Sequence, residues 1–208
     1  MSYFPFFIDL GQKKGLIAGG GVTALRKIQK LLPYGPQLTV VSPAFHPEIE
    51  AFPALTLLRQ PFDPALLEGH FFAIAATDNP QLNHSISKLC QQKGILVNVV
   101  DSRAECTFLF PALVKRGELT AGISTGGTSP SAAIWLKEQL GALVPDNMEQ
   151  ILNYLEKQRR AVRTMFAEEA QRGAVLRSLF LDCMERRRPL SEGETAALLN
   201  RFMEEESR

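Results

Sequence analysis

Gly15-Leu-Ile-Ala-Gly-Gly-Gly-Val-Thr-Ala24 is the stretch that decides the fold. A short apolar run, Gly15 to Ala18, meets three glycines. A helix-period segment, Ala24 to Leu32, follows with Leu25, Ile28 and Leu32 on one face. Gly19-Gly20-Gly21-Val22-Thr23-Ala24 fits G-x-G-x-x-A between a strand and a helix. Glycine at the first position permits a tight turn, and at the second it lets a pyrophosphate approach the backbone. The small Ala24 lets helix and strand pack closely. The helix start then offers free N–H groups and the positive end of its dipole to phosphates. The same glycines also suit a plain turn, so the strand before and the helix after carry the nucleotide reading.

Outward from this turn the first half alternates strands and helices. Pro33-Tyr-Gly-Pro36 breaks the helix, and Leu38-Thr-Val-Val41, ended by Ser42-Pro43, is a second strand. Leu55 to Leu58 is a third and Phe71 to Ala76 a fourth, closed by Thr77-Asp78-Asn79-Pro80. Leu82 to Cys90 reads as a helix and Ile95 to Val100 as a fifth strand, ending at Asp101. Runs apolar on both faces are expected of parallel strands covered on both sides, so a doubly wound, Rossmann-like α/β sheet is expected. Met1 to Leu10, apolar and aromatic with Asp9 but no basic flank, reads as an edge strand and not as a signal peptide.

The second half changes character. Leu119 to Ser124 is one more strand, and Ser129 with Pro130 caps a helix to about Leu140. Asp146-Asn-Met-Glu149 and Ser191-Glu-Gly-Glu194 have capping-box spacing. Met148, Ile151, Leu152, Leu155, Val162 and Phe166 form an amphipathic stripe. The expected division is residues 1–112 as a nucleotide-binding domain, 113–147 as a connecting region and 148–208 as a helical domain.

Composition bounds the function. The chain has 208 residues, 45% of them hydrophobic and 22% charged, with 23 basic against 22 acidic side chains. That content can bury a core and is not that of a disordered chain. No run approaches the roughly 18–20 apolar residues of a membrane span, so no membrane partner is expected. The near-neutral balance argues against nucleic acid as the main partner. Cys90, Cys106 and Cys183 are odd in number and far apart, without the spacing of a disulfide framework or a zinc site. His46, His70 and His84 show no ligand spacing, so no resident metal is expected. The expectation is a soluble, cytoplasmic protein.

Three further features bear on chemistry. Asp101 follows the fifth strand, at the edge where open α/β sheets bind ligands; it reads as a general base or as a turn-stabilising aspartate. Ser124-Thr125-Gly126-Gly127-Thr128-Ser129-Pro130 reads as an anion-binding nest or as a well-capped turn. Lys157, Arg159, Arg160 and Arg163 read as a polycarboxylate groove or a solvated helix face, and Arg186 to Arg188 as a helix end. The end of the second strand holds Ser42 where an adenosine-ribose acid is usual. No adjacent Arg or Lys favours a 2′-phosphate, which tilts the expected cofactor to NAD over NADP.

Taken together these segments resemble the precorrin-2 dehydrogenase family, the dehydrogenase and ferrochelatase module of sirohaem synthase. The matching stretches are Pro5–Leu10, Leu16–Gly21 with Arg26-Lys27, Leu38–Pro43, Ala75–Asp78, Asn98–Asp101, Phe108–Pro111 and Ile123–Pro130, in order and with the expected spacing. The resemblance implies an NAD-binding domain, a dimerisation region over 113–147 and a helical domain, assembled as an interlocked homodimer. It implies oxidation of the tetrapyrrole precorrin-2 to sirohydrochlorin, followed in some members by insertion of a metal such as Fe2+ or Co2+ as substrate. By the same resemblance Asp101 is catalytic. Gly19, Gly21, Val22, Thr23, Pro43 and Ala44 match its cofactor-contacting turns; Gly20, Ser42 and Thr77 beside them are expected to contact the cofactor too, and Ser124, Thr125, Gly126, Gly127 and Thr128 the substrate. Thr23 replaces a usual valine, and Thr125 stands where some members carry serine. By the resemblance, no methyltransferase half of the fused sirohaem synthases is expected within these 208 residues. A non-catalytic NAD-sensing module and another small dehydrogenase are the competing readings.

Overall fold

The computed structural model describes residues 3–206, and two compact units divide it, Met1–Phe110 and Pro111–Arg208. In the first unit five parallel strands, β1 (Lys14–Ala18), β2 (Gln37–Val41), β3 (Leu55–Leu58), β4 (Phe72–Ala75) and β5 (Leu96–Val99), lie in the order β3-β2-β1-β4-β5. This is a Rossmann-like, doubly wound sheet. The strand order reverses beside β1, which pairs with β2 on one side and β4 on the other.

Alternation along each strand divides the core between two faces. Ile17, Val40 and Ile74 are fully buried with Ala24, Leu25 and Ile28 of α1 (Val22–Leu31) and Ile49 of α2 (Pro47–Glu50). Leu16, Ala18, Val41, Ala73, Ala75, Val97 and Val99 pack on the other face with Ile86 and Cys90 of α3 (Pro80–Gln92). Burial on both faces is why these strands read as unbroken apolar runs. Each strand feeds its turns to the same carboxyl edge.

The second unit begins with a hairpin, β6 (Ala112–Arg116) paired antiparallel to β7 (Leu119–Ile123). It continues through α4 (Pro130–Leu143), α5 (Met148–Met165), α6 (Glu169–Arg186) and α7 (Glu192–Glu206). Ile151, Val162, Phe166, Val175, Leu179 and Cys183 form its core. The Ser191 capping box is formed: the Glu194 N–H donates to Ser191 Oγ at 3.3 Å and the Ser191 N–H to Glu194 Oε2 at 2.7 Å. Arg188 grips the same carboxylate at 2.8 Å and, with the Ser191 N–H, holds it well below the usual carboxylate range. The ion pair is solvent-exposed and adds little to stability. Arg187 takes the left-handed conformation that closes α6, as the arginine run implied.

Three sequence expectations fail, each for a physical reason. Residues 3–10 form no strand; Met1 and Ser2 lie outside the described residues. Pro5 has no N–H to give a ladder, and Phe4, Phe6 and Phe7 stand 76–78% exposed. The Asp146 capping box is out of phase by one residue. Asn147 is the N-cap without a side-chain bond, and Asp146 instead meets Arg116 at 3.3 Å. Strand β6 was not foreseen; its Lys115-Arg116 end turns through Gly117 at φ 57° into β7.

Ile74 lies at the centre of the sheet and is fully buried. Ile74→Ala should cost about 2–5 kcal/mol, read as a lower urea midpoint with an unchanged slope.

Candidate active site

The glycine turn is defined by what surrounds each residue. A Cβ at Gly19, which has φ +121°, would lie 2.2 Å from the Ala76 carbonyl oxygen. One at Gly20 would lie 2.1 Å from the Ala44 carbonyl oxygen and 2.9 Å from Ser42. Gly21 has nothing within 4 Å of such a carbon. The first two glycines therefore exist for chain-to-chain packing, whereas the third opens onto free space. Gly21 is also the N-cap of α1, has no side chain to cap with, and no acidic residue occupies the helix's first turn. Val22 and Thr23 are exposed there. Open amides at the positive end of a helix dipole, beside a cradle that a side chain would fill, fit a pyrophosphate.

The fold draws distant residues to this turn. The His46 N–H donates to the Gly20 carbonyl at 2.7 Å, which latches the Ser42–His46 loop, with Pro43 and Ala44 exposed, against the glycines. Thr77 follows β4, adjacent to Gly19. Its N–H and Oγ1 donate to Asn83 Oδ1 at 3.2 and 2.7 Å, while Asn83 Nδ2 donates back to the Thr77 carbonyl at 3.0 Å. Sequence reading overlooked Asn83. Its one available signal was a polar residue on the inner face of a helix, here 6% exposed. Arg59 was overlooked too. The Ser42 N–H donates to the Leu58 carbonyl at 3.1 Å, so parallel pairing brings Arg59 near the end of β2 although 17 residues separate it from Ser42. Its guanidinium pairs with Glu50 and lies 5.1 Å from the Phe45 ring centre.

Asp101 stands at the same carboxyl edge, two residues beyond β5, exposed and with φ 61°. A left-handed aspartate is an allowed but uncommon conformation, and here it turns the chain sharply at a sheet edge. The turn is tied by Cys106, whose Sγ accepts from the Val99 N–H at 3.1 Å and lies 3.3 Å from the carbonyl oxygens of Val99 and Ser102. Burial pushes the Cys106 thiol up, so it stays protonated and acts as a hydrogen-bonding clasp.

The Ser124–Thr128 loop belongs to the second unit. Gly126 and Gly127 have φ 61° and 81°. Much of its polarity turns inward: the Gly126 N–H donates to Ser124 Oγ, the Thr128 N–H to the Thr125 carbonyl and the Ser129 N–H to Thr125 Oγ1. Thr125 thus organises the loop and Ser129 caps α4 through Ala132 N–H, while Ser124, Gly127 and Thr128 stay exposed. Of the basic run on α5, Arg160 pairs with Glu156 at 2.9 Å. Among the described residues no group of three or more His, Cys, Asp or Glu is placed to hold a metal ion, and no helix is long and apolar enough to cross a membrane.

A family model described as "Putative NAD(P)-binding" matches residues 6–112. Siroheme synthase of Escherichia coli O1:K1 / APEC is 37% identical over 185 residues, covering 88% of this chain and 40% of that protein. Siroheme synthase of Enterobacter sp. (strain 638) is 36% identical over the same length. The chain spans about two fifths of the length of these curated relatives. A solved structure titled "SirC, precorrin-2 dehydrogenase" is similar with TM-score 0.72 and 26% identity, covering 97% of this chain and 100% of that one.

The different surroundings of the glycines separate packing from ligand contact. Gly20→Ala should lower the thermal midpoint by several degrees, because a backbone oxygen blocks its Cβ. Gly21→Ala should leave the midpoint within about a degree yet weaken NADH binding about tenfold or more, read by fluorescence titration.

Proposed function

We propose that the chain, a member of the NAD(P)-binding family whose model matches residues 6–112, is a precorrin-2 dehydrogenase that oxidises precorrin-2 to sirohydrochlorin with NAD, a step of sirohaem biosynthesis; its likeness to siroheme synthases and to a precorrin-2 dehydrogenase structure supports this reading. One observation carries the reading: an open, uncapped helix start over Gly21 and the carboxylate of Asp101 lie on one carboxyl edge of one sheet. When bound, NAD+ supplies the hydride acceptor. The Gly19–Thr23 turn would hold its pyrophosphate. Ser42, Pro43 and Ala44 would border its adenosine half, and Thr77, fixed by Asn83, the crevice beside β1.

Oxidation removes a hydride and a proton from the macrocycle. Asp101 is placed to take the proton, since its exposed carboxylate lies on this edge beyond β5. If a metal is then inserted, Fe2+ or Co2+ enters as substrate, the tetrapyrrole nitrogens are its ligands, and the same carboxylate can receive the pyrrole protons. The Ser124–Thr128 loop keeps the role of a carboxylate-binding turn in the second unit, through Ser124, Gly127 and Thr128, which the loop leaves exposed. A reducing compartment such as the cytoplasm suits the three buried, unpaired thiols.

Residues 113–147 serve as the dimerisation region. Helix α4 buries only Ala133 and exposes Ile134, Trp135, Leu136 and Leu143 by 44–68%. A helix that apolar on its open side calls for a partner, and a second copy supplies one. Trp135→Glu should shift sedimentation from dimer toward monomer at micromolar protein; an unchanged profile removes α4 from the interface.

Anaerobic incubation with precorrin-2 and NAD+ should yield NADH and the sirohydrochlorin spectrum. Asp101→Asn should slow this at least about tenfold with NADH affinity nearly intact. Cofactor binding without turnover of the macrocycle would instead mark an NAD-sensing module.

A further inference from the structure

Lys27 lies on α1 beyond the glycine turn, yet its side chain is drawn inward. Its Nζ donates to Asn98 Oδ1 at 3.2 Å and stands 3.9 Å from the centre of the Phe110 ring. Asn98, on β5 and 4% exposed, donates from Nδ2 to the Phe108 carbonyl at 3.1 Å and toward Cys106 Sγ at 3.5 Å. Cys106 in turn clasps Val99 and Ser102 on either side of Asp101. The end of β5, the Asp101 turn and the returning segment to Phe110 are thus one bonded unit, with an ammonium built into it.

We propose that Lys27 is a positioning residue for Asp101: through Asn98 it secures the turn that carries the carboxylate, and it builds a positive charge into the bonded unit behind that turn. The inference rests on Asp101 being the proton acceptor. Its physical basis is a conflict. An ammonium on an exposed helix face keeps its hydration, but this one exchanges water for an amide oxygen and a ring face. Burial, aided by Lys30 on the same helix, lowers its pKa from 10.5 to about 8, while Cys106 and Asp101 act in the opposite sense. The folded pKa lies below the unfolded one, so between about pH 8 and 10 the unfolded chain holds more protons and stability rises with pH. At neutral pH the fold therefore carries a charge that an apolar side chain would not impose. A residue serving packing alone would not need that charge; one bonded into the turn that carries a working carboxylate can use it.

Lys27→Met and Lys27→Arg in the full chain test this. Lys27→Met should lower the thermal midpoint at pH 7 by no more than a few degrees, since it frees a buried amide oxygen as it removes a buried charge, and should leave NADH affinity within about threefold, while kcat falls about tenfold or more. Wild-type kcat should decline as pH rises through about 8 and Lys27 loses its charge; Lys27→Arg, cationic throughout, should retain activity and move that limb upward. Titration of the Lys27 ammonium by NMR needs no substrate and should give a midpoint near 8, lower still in Asp101→Asn. A midpoint above about 10 overturns the proposal, as does wild-type kcat in Lys27→Met, or a joint loss of midpoint and NADH binding that marks a structural role. If wild-type protein binds NADH but does not oxidise precorrin-2, the function reading fails; the NMR midpoint still reports on the Lys27–Asp101 coupling.

Discussion

The close approach of three backbones at the carboxyl end of β1 is the constraint on which the rest depends. Gly19 sits against Ala76 and Gly20 against Ala44, each with no room for a side chain. The Gly19 N–H donates to the Val41 carbonyl at 2.9 Å and the Ala76 N–H to that of Ala18 at 2.8 Å, so the turns after β1, β2 and β4 are fixed to one another. A parallel sheet in this strand order delivers its turns to one edge, but only this packing makes them a continuous rim. Widening it by a methyl group would push the Ser42–His46 loop from the glycines and Thr77 from the strand beside it.

The same packing divides labour among the glycines. Two are consumed in holding the rim together, and the third faces outward from the start of α1. Its value lies in what it leaves vacant: amides with no cap, no acidic side chain in the first turn, and an approach that even alanine would narrow. A helix that buries Ala24, Leu25 and Ile28 on one face is rigid enough to hold those amides in place. Affinity for an anionic ligand at this point then comes from pre-organisation, since no side chain must be ordered to meet it.

The architecture was legible wherever one physical signal dominated. Doubly apolar strands, the glycine turn, the Ser129–Pro130 helix start and the Ser191 box each follow from local chemistry, and the structure contains them. The aromatic opening segment misled because apolar content without a ladder partner does not make a strand. Asp146 misled because two adjacent Asx residues can each open a helix, and tertiary pairing with Arg116 took the first. The support around the site was hidden for another reason. Asn83, Cys106, Lys27 and Arg59 are ordinary residues on helices, turns and strand ends, and only strand pairing and turn geometry give them partners.

Backbone strain leads to the same place. Three non-glycine residues among those described have positive φ: Gln12, Asp101 and Arg187. Gln12 is held in its turn by a bond from its N–H to the Gly35 carbonyl, and Arg187 by the ordinary hydrogen bonds that end a helix. Asp101 sits with Val100 in a tight turn at the end of β5 and is braced from further off. Its conformation is kept by a buried thiol that clasps the residues around it and by an amide whose oxygen is held by an ammonium. Glycine, which would relax the turn, carries no carboxylate. A chain that keeps aspartate there must supply the restraint from elsewhere, and β5, α1 and the 106–110 segment all contribute to it. Local rules give way at Asp101, and a carboxylate kept where glycine would relax the turn agrees with the proton-accepting role proposed for it.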